Sequence, residues 1–174
     1  MQRSERQPGA LRALKIVPTE WDPKRLQWLW KCLMSQDHAF DDFAEKYGAQ
    51  VFVAQLFQPS SVWYELDDFG LACFTGVRQD ADALFHFAIW DDAPAHALYS
   101  LLRNLFSEMF QTFNLRRLTA MIPANNKPAI RAAVINGFKY EGEMRKAYLK
   151  HGTWINIQIY GLLREEFTKR EVLN

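Results

Sequence analysis

Cysteine is scarce in this chain: only Cys32 and Cys73 occur among 174 residues. Two thiols so far apart match no zinc or redox spacing, and they point to free buried thiols rather than a disulfide scaffold. Long apolar runs are missing as well. None approaches the ~20 residues needed to cross a bilayer, so no membrane partner is expected. The first residues, MQRSERQPG, are polar and lack the apolar stretch of a secretory signal, and a cytoplasmic location is the expectation. Neither sign of charge dominates: 21 Lys and Arg stand against 20 Asp and Glu. With so small a net charge no basic field exists to hold nucleic acid, and pairs such as Arg116-Arg117 and Lys169-Arg170 are too scattered to make one. Internal repeats, low-complexity tracts and linkers are absent too.

What is present is the composition of a folded domain, 49% apolar and 24% charged. The length suits one domain over residues 11–174, after a flexible lead-in at residues 1–10. Aromatics are in excess at 14%, with thirteen Phe, and imply a Phe-rich core. Residues 11–17 alternate as a strand does, and Pro18 ends it. Apolar residues at helical spacing follow over 21–34, and a second helix is expected over 40–47. Residues 51–57 (VFVAQLF) are too apolar for a period to be read, so strand and helix both stay open. Residues 62–66, 69–78 and 83–90 read as a three-strand meander, its first turn at Asp67-Asp68. From Pro94 on, Leu98, Leu101, Leu102, Leu105, Phe106, Met109, Phe110 and Phe113 make an apolar stripe that predicts a core-packing helix. Residues 115–122 read as a strand. Asn126 is a natural N-cap for a helix that Gly137 would end. Residues 138–141, 143–150 and 153–163 are strand-like, with His151-Gly152 as a turn. The predicted class is therefore α/β of the mixed α+β kind, with about four helices flanking a mostly antiparallel twisted sheet of six to seven strands.

The C-terminal half carries a specific likeness. The run from Asn126 through KPAIRAAVIN to Gly137-Phe138, then KYEGEMRKAY and INIQIYGLLREEF, resembles the GNAT N-acetyltransferase superfamily. It is nearest to the branch that acetylates ribosomal-protein N-termini, with a weaker likeness to small GNAT-like proteins of bacteriophages. The resemblance covers roughly residues 84–167 well and 11–83 in outline. It implies acetyl-coenzyme A as cofactor and an amine-bearing acceptor, such as a protein N-terminus or a lysine. It also implies that the fourth strand and the strand after the long helix splay apart, with the acetyl-pantetheine arm between them. Phe87, Ala88, Ile89 and Trp90 would then face the arm. Ala95, His96 and Ala97 would offer the long helix's N-terminus to the pyrophosphate. Asn126, Lys127 and Arg131 complete the expected coenzyme contacts.

Two departures stand out. Where the family's phosphate loop reads Gln/Arg-x-x-Gly-x-Gly/Ala, this chain has Asp92-Ala93-Pro94-Ala95-His96-Ala97. An acid replaces the cation and alanine the middle glycine, which points to weaker coenzyme binding, with Asp92 better placed as a helix cap. The positions where many relatives carry a Ser or a Tyr proton donor are Ala129 and Ala133. Catalytic candidates are then His86, on the fourth strand with Ala88 and Trp90 on its face, and Tyr148 near the final hairpin, beside His151. Each also has an ordinary structural role open to it. Glu65, Asp67 and Asp68 would suit a cationic amine or a solvated hairpin tip. The rival to an enzyme is a GNAT-fold module, such as a phage-encoded modulator, that binds a partner protein.

Overall fold

The computed structural model describes residues 13–16, 22–91 and 94–172. Its elements, in chain order, are β1 (Ala13–Ile16), α1 (Pro23–Met34), α2 (Asp42–Tyr47), α3 (Ala49–Leu56), β2 (Val62–Leu66), β3 (Gly70–Thr75), β4 (Asp82–Ile89), α4 (Ala95–Thr112), β5 (Arg117–Pro123), α5 (Lys127–Ile135), β6 (Lys139–Lys150), β7 (Thr153–Leu163) and α6 (Arg164–Val172). The seven strands form one sheet in the order β1-β2-β3-β4-β5-β7-β6. Every neighbouring pair is antiparallel except β4 and β5, which run parallel.

Local chemistry accounts for most of these boundaries. Asp22 caps α1 by accepting from the Lys24 N–H at 3.0 Å, with Pro23 in the first turn where its missing N–H costs nothing. Asn126 caps α5 through the Ala129 N–H at 3.2 Å. That helix ends at Gly137, whose φ of 96° is the left-handed geometry glycine tolerates, and Phe138 N–H returns to the Ala133 carbonyl. His151 and Gly152, both at positive φ, turn β6 into β7. In α4 the predicted stripe is the buried face, from Leu101 and Leu102 to Met109 and Phe110.

Several expectations are revised. Residues 51–57 fall mainly in helix α3, where Phe52 and Leu56, four apart, bury one face. The segments 138–141 and 143–150 are one strand, whose register slips near Gly142 and again at Lys146, where φ is 50°. Six helices are present among the described residues, not about four: α3 and α6 are the additions. The lead-in 1–10, the start of the first strand at Leu11, and Asp92 lie outside the described residues. At α4 the capping position is Pro94, with no side-chain cap bond.

Two apolar cores sit on opposite faces of the sheet. One joins Phe74, Phe85, Phe106, Leu118 and Phe138 beneath α4 and α5, reaching Phe167 of α6. The other joins Leu29, Leu33, Phe52, Trp63, Leu71 and Cys73 beneath α1 and α3. The aromatic excess is spent largely here, with Phe52, Phe69, Phe74 and Phe106 fully buried. Cys32 and Cys73 are both free thiols, but only Cys73 is buried; Cys32, on α1, is half-buried. No helix among the described residues is long and apolar enough to cross a membrane.

Candidate active site

The sheet opens in its middle. β4 and β5 pair only at Asp82–Arg117, Ala83–Leu118 and Leu84–Thr119. Beyond Leu84 the strands diverge, β4 holding β3 and β5 holding β7 through Pro123–Ile157. The β5-facing backbone edge of residues 85–89 is thus left without a strand partner, a row of donors and acceptors ready for an extended ligand.

A cavity of about 610 Å³ runs through this gap and draws its walls from both cores. On the α4 and α5 side it is lined by Phe85, Phe87, Ala120, Ala129, Ala133 and Asn136. On the α1 and α3 side it is lined by Leu33, His38, Phe40, Trp63, Cys73 and His86. Ala129 and Ala133, with their small side chains, leave space along one wall.

Of the predicted residues, the cavity gathers His86, Phe87, Ala88, Asn126 and Tyr148. Ile89 packs at the margin of the first core, and Trp90 stacks edge-on against Trp28 while its Nε1–H donates to the Asp68 carbonyl at 2.8 Å. Ala95, His96 and Ala97 form the first turn of α4. Lys127 Nζ donates to the Ala124 carbonyl at 2.8 Å, within its own loop, and Arg131 is exposed on α5. None of these last seven lines the cavity.

Alternation along β4 sends Phe85 and Phe87 to the α4 face and His86, Ala88 and Trp90 to the other. His86 sits opposite Cys73 on β3, and its Nε2 lies 3.3 Å from the Thr75 hydroxyl. The ring keeps access to solvent through the cavity while protein packs around it at longer range. That desolvation holds its pKa below the ordinary imidazole value, so the neutral base is favoured. Tyr148 is different: its hydroxyl donates to the Phe40 carbonyl at 2.8 Å. Burial, then the acids of the α2 region led by Asp41, push its pKa up.

Tyr148 belongs to a larger tie between the final hairpin and the segment joining α1 to α2. Lys150, almost wholly buried, donates to the Phe40 carbonyl and to Glu45. His151 Nε2 meets Asp37 at 2.7 Å, and the N–H groups of His151 and Gly152 both donate to the Asp42 carboxylate at 2.9 Å. The meander acids are occupied elsewhere: Arg25 binds Glu65 at 2.7 Å and Asp68 at 3.2 Å.

Sequence reasoning passed over three cavity residues with unmatched polar atoms, of which His38, at its Nδ1, is one. Asn136 is 4% exposed and donates Nδ2–H to the Ala132 carbonyl, yet its Oδ1 has no partner. Trp63 is 6% exposed, and its Nε1–H is also unmatched. Residue type offered no signal for either, because an Asn before a helix-ending Gly and a Trp in a strand are both ordinary.

Neither a family model nor a curated protein matches the sequence. Solved structures do. A spermidine N-acetyltransferase from Vibrio cholerae, in complex with CoA and spermine, aligns with a TM-score of 0.68 at 15% identity, over 91% of this chain and 98% of that one. A point mutant of the same enzyme gives 0.69 at 14%, over 93% and 98%. This chain has the GNAT fold. At such identity the GNAT likeness speaks for the fold alone, including the splayed fourth and fifth strands.

Proposed function

We propose that this protein is an acetyl-coenzyme A-dependent N-acetyltransferase that acts on an amine. The observation that carries the reading is the through-sheet cavity, which opens one face of the β4–β5 gap to the other and has a histidine on its far wall. Two reactants can meet there from opposite faces of the sheet, and meeting in a fixed orientation is most of what amine acylation requires.

The residues present fit the coenzyme. The unpaired edge of Phe87, Ala88 and Ile89 would receive the amides of an extended arm, with Ala129 and Ala133 giving it room. Asn136 lines the same cavity and has a buried Oδ1 without a protein partner, an acceptor that a small shift of the side chain would offer to an amide N–H. The first turn of α4 has N–H groups that no side chain caps, and His96 stands exposed beside them, which favours the pyrophosphate. Bound, acetyl-coenzyme A supplies an acetyl thioester, a carbonyl already open to a neutral amine. His86 takes one proton from the incoming ammonium onto its imidazole, which its desolvated surroundings keep neutral beforehand, and the second proton that the nitrogen sheds on acylation would leave with the thiolate as free thiol. Tyr148 holds the wall at Phe40 rather than moving a proton. The structural relatives extend the acceptor choice to polyamines, beside the protein N-terminus or lysine that the sequence likeness implies.

Calorimetry with acetyl-coenzyme A, paired with an assay of thiol release, tests this. Saturable binding and thiol release that depends on an added amine are expected. A chain that binds no coenzyme would be the partner-binding module instead.

A further inference from the structure

We infer that Thr75 is the positioning residue of the proposed base: its hydroxyl oxygen accepts Nε2–H of His86 and leaves the Nδ1 lone pair to take the proton from the amine. This rests on the acetyltransferase reading and adds a residue to it. Thr75 and His86 stand on one face of adjacent antiparallel strands. Cys73 is directly opposite His86, and Thr75, two residues on, is opposite Leu84. Such a diagonal pair is within side-chain reach, and the hydroxyl lies 3.3 Å from Nε2. Both residues line the cavity, and the branched Thr75 side chain has few rotamers in which to stray.

Which group donates is fixed by what a base requires, since both partners can do either. A donating hydroxyl would spend the Nε2 lone pair on Thr75 and leave the hydrogen on Nδ1, so neither nitrogen would be free. An accepting hydroxyl holds Nε2–H and leaves Nδ1 bare. The ring nitrogens point outward on opposite flanks, so an Nε2 held toward β3 turns Nδ1 to the side where β4 lacks a strand partner beyond Leu84. No group among the described residues bonds Nδ1. When Nδ1 takes the proton, the imidazolium donates from both nitrogens, and Thr75 goes on accepting without turning, now in a stronger charge-assisted bond. After acyl transfer that proton passes to water and the neutral ring returns. Desolvation opposes the charged ring, and the Thr75 bond offsets part of it. The cavity's other ionisable groups are engaged or neutral. Asp41 caps α2, Tyr148 donates to the Phe40 carbonyl and His38 lies 3.8 Å from Asp37. Burial pushes the Cys73 thiol up, so it stays protonated.

The test pairs Thr75→Val, which keeps the shape and removes the oxygen, with Thr75→Ser, which keeps the oxygen. Spermidine, phenethylamine and a short peptide are tried as amines with acetyl-coenzyme A saturating, and kcat for the best is followed from pH 5 to 8. Thr75→Val should lower kcat about tenfold, the effect of one charge-assisted hydrogen bond, and carry the acid limb down by up to about one pH unit. The amine KM and the coenzyme Kd should stay within about twofold. Thr75→Ser should restore both rate and limb. Long-range proton–nitrogen spectra of the unaltered protein above the limb, with His86 assigned by its loss in His86→Gln, should show the Nε2–H tautomer. That measurement decides the matter should Thr75→Val not fold. An Nδ1–H tautomer, an unchanged kcat, a limb unmoved or raised, or a loss that Thr75→Ser shares overturns the inference while leaving an acetyltransferase. Absence of coenzyme binding and of thiol release with every amine overturns both.

Discussion

His86 is a histidine whose surroundings oppose its charged form. A base must be neutral to work, and desolvation keeps this one neutral down to a pH below the ordinary imidazole value of about 6.5. Activity should therefore hold through neutrality and fall only as pH drops past that lowered pKa. His86→Gln should cut kcat on the order of 10²-fold and erase the acid limb of the profile, as rates measured from pH 5 to 8 will show. If the limb persists in the variant, another group is the base. Asn136 makes a separate prediction, because its Nδ2 already serves the helix end while its Oδ1 serves nothing in the protein. Asn136→Leu, similar in volume, should weaken acetyl-coenzyme A by roughly fivefold to tenfold in calorimetry. An unchanged Kd would remove Asn136 from the coenzyme site.

Among elements, the β6–β7 hairpin and the α1–α2 segment behave as one wall. Residues more than 100 positions apart meet there: Tyr148 and Lys150 converge on the Phe40 carbonyl, and the His151-Gly152 turn grips Asp42. This explains why Tyr148 looks catalytic by position and structural by bonding, since its one proton is already committed. Tyr148→Phe should lower stability by about 1 kcal/mol, read from urea unfolding, and leave thiol release within tenfold of the unaltered protein. A larger loss of turnover than of stability would return the residue to the chemistry. The β4–β5 gap has an equally local cause. Parallel pairing stops after Leu84–Thr119, and Phe85 and Phe87 then turn into the core under α4.

For the whole molecule, two cores on either side of a sheet that is open in its middle must carry the stability that the missing strand contacts do not. Phe106 is the hinge of the larger core: it is fully buried and edge-on to Phe74, Phe85 and Phe138. Phe106→Ala should cost about 3–5 kcal/mol, a large part of the 5–15 kcal/mol typical of a domain, and should shift the urea midpoint accordingly. A loss under about 1 kcal/mol would mean that the cavity beside it collapses to fill the space.

The elements were legible in the sequence wherever a local rule governs them. The α4 stripe, the Asn126 cap, the Gly137 stop and the His151-Gly152 turn are each settled by residues within one or two turns of chain. Where apolar residues were continuous, as at 51–57, periodicity had nothing to contrast, and burial of Phe52 and Leu56 against the sheet decided for a helix. The face of His86 followed from strand alternation alone. Its company did not: Trp63, Cys73 and His86 share a row only because three strands pair in one register. The commitment of Tyr148 to Phe40, of Glu65 to Arg25, and the unmatched atoms of Trp63 and Asn136 were likewise decided by tertiary structure. Hydrogen-bond partners far apart in sequence are chosen by how the elements pack, and no local pattern records them.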